Sequence, residues 1–216
     1  MRKAAITILL LAIGLLQAMA QHTIASIRET YQAVHETISM MSDSFPSEGI
    51  PMERYHLDVR QNLPATGLHH ESIYMYYGEW RDYNEEEEPR IYDRHFLRFA
   101  TTSYNFAAHQ YYEEFLYDEK GKTLFAYFRA TDVDVGKYIE YRIYLDGERL
   151  LKLNVKATDD MHHDFGSIPA TAFRQVYDGA NPPDEYLEQI KWSKQKAKQF
   201  LNMFKSIEEV TYPYDE

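Results

Sequence analysis

The chain of 216 residues contains no cysteine, which excludes disulfide cross-links and thiol catalysis. Basic residues are scarce: 23 Lys and Arg stand against 34 Asp and Glu, a formal net charge of −11. Nucleic-acid binding and adhesion to anionic lipid draw much of their affinity from clustered Lys and Arg, so neither is expected. Glycine and proline number only 9 and 8. No phosphate loop, dinucleotide fingerprint, Gly-x-Ser-x-Gly elbow or His-Glu-x-x-His helix occurs in the sequence, which removes the common signatures of nucleotide, hydride, acyl-transfer and zinc-protease chemistry. No bound cofactor is expected.

Long hydrophobic runs are also missing, except at the start. Arg2 and Lys3 precede an uncharged apolar stretch from Ala4 to Leu16, and Ala18-Met19-Ala20 places small residues where a signal peptidase reads them. The run breaks at Gln17, Gln21 and His22, short of the ~20 residues a membrane span needs. The pattern predicts a signal peptide over 1–20 and a single α+β domain over 21–216, with no stable membrane insertion after cleavage and no cysteine at the junction to carry lipid. Cleavage would remove two positive charges, Arg2 and Lys3, and so take the net from −11 to −13. A cysteine-free exported chain points to a periplasmic or secreted protein of a bacterial envelope. Its acidic surface favours solubility, basic partners and divalent cations.

What is abundant is patterned. From His22 to Ser42, the residues Ile24, Ile27, Tyr31, Val34, Ile38 and Met41 recur at spacings of three and four, the signature of one helical stripe. Between Glu53 and Ala157 the period becomes two, in short runs rich in Tyr, Phe, Ile and Val. Strands are expected over 54–61, 71–79, 90–102, 109–117, 123–131, 138–145 and 149–155. The connections are too short for crossover helices, so neighbours should pair antiparallel. After Pro183 a second helical stripe runs through Leu187, Ile190, Ala197, Phe200, Leu201, Phe204 and Ile207. The fold expected is an antiparallel β-meander of about seven strands packed against N- and C-terminal helices.

Two finer expectations follow. Both helices are placed on one side of the sheet, leaving its other side for function. In the last hairpin, Ile139, Tyr141, Ile143 and Leu145 share a face, as do Leu151, Leu153 and Val155. A three-residue loop of Leu145, Asp146 and Gly147 would align these sets by pairing Tyr141 with Leu151 and Ile139 with Leu153, with Gly147 left-handed.

Nineteen tyrosines and two tryptophans offer aromatic surface that could stack on sugar rings or hold apolar peptides. Tyr74, Tyr76, Trp80, Tyr127 and Tyr138 are the candidate ligand-binding residues. Tyr92 and Tyr144 alternate with the core in the same way, and the bland account of all of them is a half-buried pleat. Asp159, His162, His163 and Asp164 have the ligand types of a metal site, although adjacent histidines tend to point apart. His69-His70-Glu71 reads as a strand entry, and the acidic run from Glu85 to Glu88 as a hydrated hairpin tip. Asp132-Val133-Asp134-Val135-Gly136 opens like a calcium loop but has Ile143 where the twelfth-position glutamate should stand. The stretch from Tyr111 to Leu153, reading YYEEFLYDEKGKTLFAYF and then EYRIYLDGERLLKL, resembles hairpin patterns of uncharacterised exported bacterial proteins. That resemblance implies an extracytoplasmic antiparallel sheet and no assigned activity. The expected function is a non-catalytic binding or accessory module for a glycan, a peptide or an envelope protein. The alternative is a hydrolase that uses carboxylates or the His162 region.

Overall fold

In a computed structural model of the chain, residues 22–41, 52–79, 95–132, 136–159 and 168–211 are described. The first helix, α1 (Ile24–Met40), begins at a reciprocal cap. The Thr23 hydroxyl accepts the Ser26 amide at 3.1 Å, and the Ser26 hydroxyl accepts the Thr23 amide at 3.0 Å. The cap satisfies two of the donors that every helix start leaves open. Eight strands follow: β1 (Glu53–Leu63), β2 (Gly67–Glu79), β3 (His95–Phe106), β4 (His109–Tyr117), β5 (Thr123–Asp132), β6 (Lys137–Asp146), β7 (Arg149–Thr158) and β8 (Arg174–Gly179). They form one antiparallel sheet in chain order, with β1 and β8 at its edges. The chain closes with α2 (Leu187–Thr211). None of the described helices is long and apolar enough to cross a membrane. The N-terminal segment assigned to export lies outside the described residues.

The meander and both helices are as the hydrophobic rhythm predicts, and the eighth strand is an addition. β8 lies in the stretch after Ala157 that shows no clear period. Its residues Arg174, Gln175 and Val176 are exposed and only Tyr177 packs inward to any extent, so an edge strand writes almost no alternation into the sequence.

The helices cover opposite faces of the sheet rather than sharing one. On one face Met75, Leu97, Phe115, Ala126, Ile143, Leu153 and Val155 pack under Ile190, Ala197, Phe200 and Phe204 of α2. On the other, Phe99, Leu116, Phe125 and Tyr144 pack under Ile27 and Val34 of α1. The central strands are apolar on both sides, and each buried Leu or Phe side chain contributes roughly 1.5–3 kcal/mol relative to an exposed one. A second bare face would forfeit that sum, so each face takes a helix.

The last hairpin needs a second correction. Asp146 pairs with Arg149 around a two-residue turn of Gly147 and Glu148, and Leu145 pairs with Leu150. A shift between Tyr144 and Leu145 then brings Ile143 opposite Leu153 and Tyr141 opposite Val155. The bulge aligns the two apolar faces with a shorter turn, and it turns Leu151 to the opposite side, where it packs with the α1 cluster. Gly147 is left-handed as expected, with φ +66°.

α2 is held to its face by polar contacts as well. The buried Tyr117 hydroxyl donates to the Ala197 carbonyl at 2.7 Å, where the small side chain lets helix and strand approach. Lys196 turns inward. Its ammonium lies 3.0 Å from Glu113 Oε1 and over the rings of Tyr104 and Trp192, at 4.2 and 4.8 Å. Glu113 is fully buried. Burial pushes its carboxyl above the ordinary value of 4.5, against the pull of Lys196 and of the Tyr104 hydroxyl.

Two stability measurements check this account. Gly147→Val forces a β-branched residue to positive φ against the Lys122 stem, 3.1 Å from the new Cβ. It should lower stability by about 1–3 kcal/mol, a fall in Tm of roughly 2–12 °C; an unchanged Tm would refute the turn. Because the folded state holds the Glu113 proton more tightly than the unfolded chain, its contribution is fully present below the unfolded pKa. That contribution is lost as pH rises through the folded value. Glu113→Gln should therefore flatten the decline in stability as pH rises above about 4.5, and denaturation curves of equal slope in both proteins would count against the buried pair.

Candidate functional site

The α1 face carries a cleft of about 510 Å3 between the helix and strands β4 to β6. Beneath it run three cross-strand rows fixed by register, whose members other than Leu116 and Glu140 line the space. Leu116, Phe125 and Tyr144 form the apolar row beneath α1. Glu114, Tyr127 and Arg142 form the next, and Tyr112, Arg129 and Glu140 the third. Because alternate residues of a strand share a face, each strand supplies one side chain per row. The floor thus grades from hydrocarbon to charge across two residue steps. α1 supplies the wall: Ile27, Arg28, Tyr31 and Gln32 border the same space.

Tyr31 ties wall to floor. Its ring meets Phe99 and Phe125 edge-on, with centroids 5.9 and 5.2 Å away, and its hydroxyl donates to Glu114 Oε2 at 2.6 Å. Tyr112 donates to the other oxygen of Glu114 at 2.8 Å. Glu114 is only 5% exposed, so both of its oxygens are satisfied by neutral donors rather than by a cation. Burial first, and then the nearby carboxylate, push the Tyr31 and Tyr112 hydroxyls far above their ordinary pKa of 10.0, which keeps them protonated as donors.

Glu140, 3% exposed, is the second buried carboxylate. Its Oε1 accepts the Tyr127 hydroxyl at 2.6 Å and Arg129 Nε at 3.0 Å, and Oε2 faces an Arg142 terminal nitrogen at 3.6 Å. Burial disfavours the Arg129 charge, but the bond to Glu140 and the Tyr127 hydroxyl outweigh it and raise the guanidinium above its ordinary value. Arg142 also sits over the Tyr127 ring, 5.7 Å from its centroid. The Nε of Arg142 is buried and has no hydrogen-bond partner among the described residues. A desolvated donor of this kind costs about 1–3 kcal/mol unless an acceptor reaches it. At the mouth, Arg28 Nε donates to the Tyr144 hydroxyl at 3.3 Å. The cleft therefore places three guanidinium groups around two carboxylates already occupied by donors.

The sequence-predicted aromatics fall in different places. Tyr127 is in the cleft. Tyr74 and Tyr76 lie on the same face; Tyr76 is buried in the α1 core, and Tyr74 stacks on His56 with rings 4.2 Å apart. Tyr138 is buried with Ile168 and Phe173 in a separate cluster. Trp80 and Tyr92 lie outside the described residues, as do His162, His163, Asp164 and the Glu85–Glu88 run. Asp159 is exposed and sits 3.6 Å from Lys137 Nζ. No group of three or more metal-ligating side chains occurs among the described residues. His69 and Glu71 approach to 3.8 Å on β2, while His70 reaches across to Asp58 on β1 at 3.1 Å.

Arg28, Arg129, Arg142, Glu114 and Glu140 are not singled out by the sequence pattern. The signal that could have found them is charge in the interior of an otherwise apolar strand: Glu140 and Arg142 alternate with Ile139, Tyr141 and Ile143. Charges at such positions must be paired or solvated. A second arrangement also escapes the pattern. His95 Nδ1 lies 2.7 Å from Glu208 Oε2 at the far end of α2, and the Tyr55 hydroxyl donates to the other oxygen of Glu208 at 2.5 Å.

Tyr31→Phe tests the link between wall and floor. Glu114 Oε2 would lose its donor while the ring packing stays, so stability should fall by about 1–3 kcal/mol. Urea denaturation showing less than about 0.5 kcal/mol would mean that the hydroxyl bond contributes nothing.

No protein-family model, curated protein or solved structure matches the chain.

Proposed function

We propose that the chain is a non-catalytic binding module of a bacterial envelope that holds its ligand in the cleft between α1 and β4 to β6. The observation that carries this reading is Arg142, which lines a preformed cavity and whose buried Nε has no hydrogen-bond partner among the described residues. Preformed concave sites with a few convergent polar groups on an aromatic floor are the usual geometry of ligand recognition. The two carboxylates support binding over catalysis, because their oxygens already face tyrosine hydroxyls and guanidinium groups. The signal-like N-terminus, the missing cysteine and the acidic composition support an extracytoplasmic address.

The His95–Glu208 contact favours a second reading, a His-dependent hydrolase, since a carboxylate that fixes one imidazole nitrogen orients the other as a base. Turnover in a hydrolase substrate screen that disappears in His95→Ala would promote it over binding.

Screening the protein on glycan and peptide arrays should yield a ligand whose affinity falls roughly tenfold or more in Arg142→Ala, the loss of a hydrogen bond to a charged group. Tyr127→Phe should weaken it less. The binding reading is overturned if nothing binds, or if every ligand found is indifferent to both changes.

A further inference from the structure

The cleft does not end at β4. A second cavity of about 480 Å3 meets it at Tyr112 and Arg129, which line both. This second chamber is lined by His70, Ser103, Asn105, Gln110 and the strand segments at Tyr104 and Tyr111, whose rings stack on the opposite, α2 face beside Lys196. Its polar groups are planar amides, an imidazole and hydroxyls. The first chamber holds the guanidinium groups. Together they form a groove that runs from Arg28 at the α1 end to His70 on β2, charged toward one end and hydroxyl-matching toward the other.

The backbone beneath this groove has no pairing capacity to offer. β3 to β6 are each hydrogen-bonded to a strand on both sides, so a peptide cannot add itself as another strand there. A ligand in the groove must be recognised by side chains. The chain as a whole carries −11, which repels anions at long range. Yet the first chamber is lined by Arg28, Arg129 and Arg142 against Glu114 alone, with Glu140 paired behind them. The preference it expresses is therefore local, for an oxyanion close enough to meet the arginine side chains that line the chamber.

Resting on the binding reading above, we infer that the groove takes an acidic oligosaccharide, with a uronate carboxylate in the arginine chamber and neighbouring sugar hydroxyls in the Ser103–Gln110 chamber. Planar guanidinium groups match a carboxylate's two oxygens. Asn, Gln, His and Ser supply the paired donors and acceptors that ring hydroxyls require. The Asn105 side chain braces the chamber's rim: its Oδ1 accepts the His70 amide at 2.9 Å and its Nδ2 donates to the Leu68 carbonyl at 2.7 Å.

Calorimetric titration of the full chain with galacturonate, mannuronate and hyaluronan hexasaccharides, beside their carboxyl-reduced counterparts, tests the inference. At least one acidic hexasaccharide should bind, and its reduced form should bind at least tenfold more weakly. Arg142→Gln should erase that difference. Arg28→Gln, at the exposed mouth and away from the Glu140 pair, should reduce it severalfold in a protein of unaltered Tm. Gln110→Ala should weaken the acidic hexasaccharide more than the disaccharide of the same repeat, titrated beside it. If reduced and acidic forms bind alike, or if no acidic saccharide binds while another ligand from the arrays does so in an Arg142-dependent way, the inference fails and the binding module stands. If no ligand of any class depends on Arg142 or Tyr127, both fail.

Discussion

The period-two alternation of β4, β5 and β6 is the constraint on which both core and cleft depend. In β4, Phe115 and Tyr117 go to the α2 cluster while Tyr112 and Leu116 go to the α1 cluster. In β6, Ile143 and Leu145 face α2 while Tyr144 faces α1. A slip of one residue would carry Glu114 and Arg142 into the hydrocarbon under α2 and expose Phe115 and Ile143 to the cleft. Burying an uncompensated charge costs several kcal/mol, so the charged rows and the apolar rows enforce the same register from opposite sides. Two of the four register shifts among the described strands, at Leu116/Tyr117 in the β4–β5 hairpin and Tyr144/Leu145 in the β6–β7 hairpin, act within that constraint. They take up the odd residue where a turn would otherwise put the faces out of phase.

Buried charge is handled differently on the two faces. Under α2, Glu113 meets a single lysine and one tyrosine on Oε1, and its Oε2 has no partner among the described residues. Burial prevails there and the carboxyl is pushed upward. Under α1, the load is spread: Glu114 takes two tyrosine hydroxyls, and Glu140 takes a tyrosine and two arginines. The first arrangement fastens one helix to one strand. The second sets several donors around an open volume, and its surplus of donors over acceptors leaves the Arg142 Nε unanswered.

The sequence made the strands and helices legible because burial on one face repeats every two or every 3.6 residues. It made their sidedness illegible for the same reason. Tyr76, Tyr127 and Tyr144 alternate with Met75, Ala126 and Ile143, and a tyrosine suits a solvated pleat as well as a packed one, so nothing local says that α1 lies over it. Leu151 shows a related limit: its apolar character fits either face, and only the bulge at Leu145 decides which. The cleft residues were hidden by distance along the chain. Tyr31 and Glu114 are separated by 83 residues, and Tyr31 reads as one more member of a helical stripe. Glu140 and Arg142 had a visible anomaly, charge inside an apolar strand, but its meaning required knowing which rows lie beside it. β8 was invisible for the opposite reason, since an exposed edge strand has little to bury and so little rhythm to show.

α1 is at once the lid of a hydrophobic core and the wall of the cleft, and Tyr31 performs both tasks with different atoms. Its ring sits among Phe99, Phe125 and His35, and its hydroxyl fixes Glu114. Fewer than half of α1's residues carry the apolar stripe, and only Ile27 and Val34 are fully buried. By contrast four apolar residues of α2 are buried, Ile190, Ala197, Phe200 and Phe204. Burial scales with apolar area removed from water, so α1 is the more weakly held of the two helices and the element whose displacement opens the cleft at least cost. A ligand bridging Arg28 on α1 and Arg142 on β6 would add contacts across that weaker seam and stabilise the closed sheet. For the proposed ligand, binding and the docking of the first helix would be one linked equilibrium, because the interactions that close the wall would also complete the site.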